Sequence, residues 1–242
     1  MLHGPLTRQF IGRRLLATIG FIIAFVAIGS SSPDGEIGIV RTFLSRSEPV
    51  LHSYVAHRTL IGWAEGTKKR GRMQVRTEFD GLRRTLEYTV LQEEGSSLVR
   101  QRGLHAVLRA EAEAVKAGRM ARSALTAENY DIASAGPLDE EGLYRLSIDP
   151  RRSDGLLVRG SMFVTADGDL IRVRGRLAKN PSLWTTRVDV TREYARIAGV
   201  TLLVRVESKV RTRLFGTGRF LMTYHYDRVN DLAVNLAAKN QP

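Results

Sequence analysis

The chain has 242 residues, a formal charge of +12 and no cysteine, with a pI near 10.5. That length suits one domain and is ample for a hydrophobic core. The missing cysteine excludes disulfides, thiol chemistry and lipid attachment through a cysteine, and the basic balance permits contact with nucleic acid or anionic lipid without saying anything about fold.

The N-terminal stretch runs basic, apolar, small. Arg8, Arg13 and Arg14 precede an apolar run from Leu15 to Ile28, and Ala27, Gly29, Ser30 and Ser31 supply the small residues. This is the plan of a secretory signal peptide, and the run falls short of the roughly 20 residues that cross a bilayer comfortably. The expectation is an exported, periplasmic protein in which residues 1–29 form a signal peptide cleaved after Gly29, in preference to a retained membrane anchor. A polar linker is expected over residues 30–38, a folded domain over 39–235 and a C-terminal tail over 236–242.

Beyond Ile39 most segments alternate with period two, the signature of strands with one buried face. "SEPVLHSYVAH" suits either a helix or a first strand. In "MQVRTEF", Met73, Val75 and Phe79 oppose Gln74, Arg76 and Glu78. In "GLYRLSID", Tyr144, Leu146 and Ile148 oppose Leu143, Arg145 and Ser147. In "VRVESKVRTRL", Val204, Val206, Val210 and Leu214 oppose Arg205, Glu207, Lys209, Arg211 and Arg213. In "GRFLMTYHYD", Phe220, Met222, Tyr224 and Tyr226 oppose Arg219, Leu221, Thr223 and His225. Asp80–Gly81 and Asp167–Gly168 predict tight primed hairpin turns, and Gly216 to Gly218 mark another reversal. One segment, "GLHAVLRAEAEAVKAG", instead puts Leu104, Val107, Leu108, Ala112 and Val115 on one helical stripe ahead of a Gly118 cap.

Chemistry is sparse. His52 and His57 are five apart, the wrong spacing for two ligands on one face, and no His–Glu zinc pattern occurs. Ser161 follows a glycine without the nucleophile elbow. Asp139, Glu140 and Glu141 read as a solvated turn, and Asp167 and Asp169 shape a hairpin. No catalytic residue, metal or cofactor is expected. Arg172, Arg174 and Arg176 recur at every second position, but Trp184, Tyr194, Phe220, Tyr224 and Tyr226 belong to the apolar faces. The stacking platform that nucleic-acid binding needs is missing. The cations are therefore read as a wet outer face, or as attraction to an anionic envelope surface. One helix of about 16 residues, about 24 Å long, is too small to cover the apolar side of about nine strands at roughly 4.8 Å spacing.

The order of hairpins carrying "FDGLRRTLEY", an amphipathic helix, "LTAENYDI", "YRLSIDPRR", "VRGSMFVTADGDLIRVRGRLAKNPSLW" and "MTYHYDRVN" resembles the periplasmic lipoprotein-sorting proteins of LolA type, most clearly over Tyr144 to Asn230. The resemblance implies a mainly β (α+β) fold: a curved antiparallel sheet forming an unclosed half-barrel, with one or two helices as lid. It also implies a monomeric carrier that takes acyl chains of lipids or lipoproteins into an apolar cavity, with possible membrane partners in the envelope and no nucleic acid. By strand parity Trp184, Val188, Val190, Phe220, Met222 and Tyr224 are the candidate inner wall, and Leu104, Val107, Leu108 and Val115 the lid. The alternative is a non-catalytic envelope interaction module with a filled interior and a basic outer face.

Overall fold

The structure, a computed structural model, describes residues 33–136, 138–139, 141–213 and 216–234. The expected leader at 1–29, the tail at 236–242 and Leu214 lie outside the described residues. Eleven strands form one sheet: β1 Ser53–Ala64, β2 Arg70–Asp80, β3 Thr85–Gly95, β4 Tyr130–Ser134, β5 Tyr144–Pro150, β6 Val158–Val164, β7 Leu170–Leu177, β8 Thr185–Ile197, β9 Val200–Thr212, β10 Gly216–Val229 and β11 Leu232–Ala233. Their spatial order is β3-β2-β1-β10-β9-β8-β7-β6-β5-β4, with the short β11 paired to β10. Every pairing is antiparallel. β3 and β4 end the sheet without meeting, so it stays unclosed, the half-barrel form expected from the sequence.

Two local expectations are corrected and one open alternative is resolved. The stretch read as a linker is helical from Pro33: α1 spans Pro33–Ser45. Proline suits a first helical turn, where its missing N–H is no loss, and Ile39, Val40 and Phe43 then pack α1 onto the core. The two Asp–Gly hairpins are not two-residue primed turns. β2 and β3 are separated by residues 81–84 and β6 and β7 by residues 165–169, with Arg84 at φ 54 and Gly168 at φ 78 taking the left-handed positions. "SEPVLHSYVAH" resolves in favour of the first strand: residues 47–52 lead in and Ser53 to His57 open β1.

The predicted helix extends in the N-terminal direction. A short α-helical turn, α2 Ser97–Val99, leads into a π-helical turn Arg100–Leu104 and then α3 His105–Lys116. This lid begins where two glycines face each other across β1 and β2, Gly62 opposite Gly71. A Cβ on Gly62 would lie 2.9 Å from Val99 Cγ1 and 3.2 Å from Leu104 Cδ2, so bare backbone there seats the helix start against the sheet. The strict alternation elsewhere gives three apolar clusters. Leu104 and Leu108 sit on Leu60, Met73, Val75 and Met222. Ile39 of α1 sits among Leu146, Ile148, Met162, Val173 and Val190. The third joins Ala56, Leu202, Tyr226 and Val229. α1, whose first turns fall in the expected linker, thus supplies a second cover.

Candidate functional site

Beneath α3 the apolar wall contains a cation. Arg58 shares its parity with Ala56 and Leu60 on β1, and is 1% exposed while both of these are fully buried. Its Nη2 donates to Glu111 Oε2 of α3 at 2.6 Å, lies 2.8 Å from Met222 Sδ and donates to Tyr224 Oη at 3.2 Å. The guanidinium also stands over the Tyr224 ring, 4.6 Å from its centroid. Nε and Nη1 are buried without a hydrogen-bond partner among the described residues. Burial opposes the Arg58 charge, but Tyr224 and Glu111 outweigh it and raise the pKa. Burial drives the Tyr224 hydroxyl far above its ordinary range.

An aromatic ladder continues from this cation. Tyr224 stacks on Tyr226 at 5.9 Å, Tyr226 meets Tyr54 edge-on at 5.4 Å, and Tyr54 stacks on Phe79 at 5.2 Å. Burial also raises the pKa values of Tyr54 and Tyr226. The ladder is therefore a neutral, amphipathic wall that ends in one fixed positive charge. Among the described residues Glu111 is the one hydrogen-bonded tie between that charge and the lid, and its side chain is 25% exposed.

The expected wall residues separate. Val188 and Val190 are each 6% exposed and Met222 is 4% exposed. Phe220 and Tyr224 pack beside Leu104 and Leu108. Trp184 is elsewhere: it precedes β8 and is 57% exposed. The register of β8 on β9 slips between Thr185 and Arg187, so parity counted back from Val188 fails at Trp184. Of the expected lid residues, Leu104, Leu108 and Val115 are buried and Val107 is half-buried. Sequence reasoning missed Arg58 and Glu111, although both break an apolar pattern: Glu111 falls three residues after Leu108 and four before Val115, on the buried stripe itself.

The lid base is clasped from the edge strand. Glu93 of β3 accepts from Arg100 and pairs with His105 Nε2 at 3.0 Å. The His105 hydrogen bond, with Arg100 adding to it, holds the Glu93 carboxyl below its ordinary pKa. A lowered carboxylate pKa stabilises the fold above the unfolded-state value and stops doing so as pH falls through the folded-state value. The protection factors of the amides in residues 97–104, with the intrinsic pH dependence of exchange divided out, are therefore expected to fall on acidification below the ordinary carboxylate range. Glu93→Gln, already lacking the charge, should show a faster rate at neutral pH and no further step from this clasp.

On the opposite, polar face lies a groove of about 730 Å³. Its side chains form a rank across six strands, Trp63–Arg219–Lys209–Asp189–Arg176–Arg159, each opposite the next in register, with Arg174 and Arg187 beside it. Arg187 engages Asp189 at 2.6 Å, Arg159 engages Asp149 at 2.6 Å, and Lys209 and Arg219 share Glu65. Arg219 foremost, then Lys209, lower the Glu65 pKa. Arg174 and Arg176 have no hydrogen bond or ion pair among the described residues. No group of three metal-binding side chains occurs among the described residues, and no described helix is long and apolar enough to cross a membrane.

No known family profile matches the chain, and no curated protein matches its sequence. Among solved structures it is similar to a LolA superfamily protein from Nitrosomonas europaea, at 12% identity and a TM-score of 0.36, covering 78% of this chain and 91% of that one. It is also similar to a DUF1329 family protein from Desulfovibrio piger, at 11% identity and a TM-score of 0.37, covering 80% of this chain and 91% of that one.

Proposed function

We propose that the protein is an exported, periplasmic, non-catalytic carrier that binds the acyl chains of a lipid or lipoprotein between the lid α3 and the apolar face of the sheet. The observation that carries this reading is Arg58, a fully buried cation with two unpartnered nitrogens, tied to the lid by one half-solvated carboxylate. A buried donor without a partner is costly, and an ester or amide oxygen of an acylated ligand has the chemistry to satisfy it. Lifting the lid breaks the Glu111 contact and exposes Leu104 and Leu108. Re-exposing two leucines costs about 3–6 kcal/mol, which about four to eight buried methylenes would offset at about 0.8 kcal/mol each. Chains of ordinary lipid length exceed that. The mechanism is passive exchange: chain for leucine, ligand oxygen for Glu111.

The test is titration with an environment-sensitive fluorescent fatty acid. The full chain should bind it saturably, and the double variant Arg58→Met with Glu111→Leu, which removes the cation without stranding a charge, should lose at least about tenfold in affinity. Absence of saturable binding for any acyl probe overturns the carrier reading. Trp184→Ala should leave acyl affinity unchanged, because Trp184 lies outside the wall.

A further inference from the structure

At one end of the sheet, β7 passes into β8 through residues 178–184. Leu183 in this connection is 89% exposed and Trp184 57% exposed. The Trp184 carbonyl accepts from the Arg213 backbone N–H at 2.9 Å, which ties the connection to the turn between β9 and β10. Lys179 lies in the same connection, and Arg174 and Arg176 lie on the strand that leads into it. The side chains of Lys179, Arg174, Arg176 and Arg213 have no hydrogen bond or ion pair among the described residues. The carboxylates nearest Arg174 and Arg176 in register are already engaged: Asp189 by Arg187 and Glu207 by Arg205. An exposed leucine and tryptophan thus share their connection with the uncompensated Lys179 and are tied to the backbone of Arg213, while Arg176 and Arg174 extend the positive charge back along β7.

We propose that this rim docks on an anionic lipid bilayer, with Leu183 and Trp184 in the headgroup–acyl boundary and the four cations against lipid phosphates. Tryptophan and leucine favour that boundary, and basic side chains near an anionic leaflet are drawn to it. A soluble polyanion would meet the cations equally well but gives the apolar pair nothing to enter. The inference does not rest on the carrier reading, since the rim is distinct from the wall under α3.

Trp63 and Trp184 are the two tryptophans of the chain, so the full chain carrying Trp63→Phe reports from Trp184 alone. It is mixed with phosphatidylethanolamine vesicles with or without phosphatidylglycerol, both with brominated acyl chains. The expected result is a blue shift and quenching of Trp184 only with phosphatidylglycerol, reversed by about 0.5 M salt as screening requires. Arg174→Glu with Arg176→Glu should lower the apparent partition coefficient at least about tenfold, with an unchanged circular dichroism spectrum. The reading is local, so insertion of the N-terminal apolar run into either vesicle does not imitate it. No quenching with phosphatidylglycerol, or equal quenching without it, overturns the proposal. So does an equal blue shift with heparin, which would make the rim a polyanion site. Failure here leaves acyl-probe binding under α3 untouched, so the two readings fall separately.

Discussion

Glu111→Ala should destabilise the protein by about 3–5 kcal/mol, because it leaves the Arg58 guanidinium buried with its charge unanswered. The Arg58 side chain is 0% exposed beneath α3, so water reaches it only if the lid lifts. Two observables separate these responses. If the lid stays down, the denaturation midpoint falls with an unchanged denaturant slope. If the lid lifts, amides in α3 lose exchange protection while the central strands keep theirs. Replacing both partners together, Arg58→Met with Glu111→Leu, should recover most of the loss or exceed the parent in stability, since well-packed apolar groups commonly match a buried ion pair. A single Glu111→Ala loss under 1 kcal/mol with full α3 protection would show that the pair is not the latch.

Gly175→Ala should cost at least about 3 kcal/mol, more than ordinary overpacking, which costs about 1–3 kcal/mol. Gly175 of β7 faces Gly160 of β6. A Cβ on Gly175 would lie 2.8 Å from the Arg159 carbonyl carbon and 2.9 Å from Val158 Cγ1, and one on Gly160 would lie 2.6 Å from Gly175 Cα. The clashes with the Arg159 carbonyl and the Gly175 Cα are with backbone, which cannot rotate away. Only bare backbone lets β6 and β7 coil together here, a common use of glycine inside strands. Thermal or urea unfolding of Gly175→Ala measures the cost. Gly103→Ala is the contrast: nothing lies within 4 Å of its added Cβ, and it should be neutral or slightly stabilising in its helical turn.

Much of the buried face of the sheet was legible. Parity alone put Met73, Val75, Leu146, Ile148 and Met222 inward, and all five are buried, because a strand has only two faces and water claims one. Trp184 was misassigned because a bulge changes parity silently. The Arg58–Glu111 pair went unread for a different reason. Charge ordinarily belongs to polar faces, whereas here a charge of either sign breaks an apolar pattern.

The sequence by itself determined the alternation, the hairpin order, the amphipathic lid and the basic polar face, since each follows from local periodicity and solvation. The tertiary structure decided the rest: that β1 lies between β2 and β10, that α1 is a second cover, and that Arg58, Glu111 and Tyr224 meet although 53 and 166 positions separate Arg58 from its two partners. Local pattern fixes which face a residue takes. Only the paired sheet fixes which residue it faces, because register across distant strands is set by the packing of the whole wall.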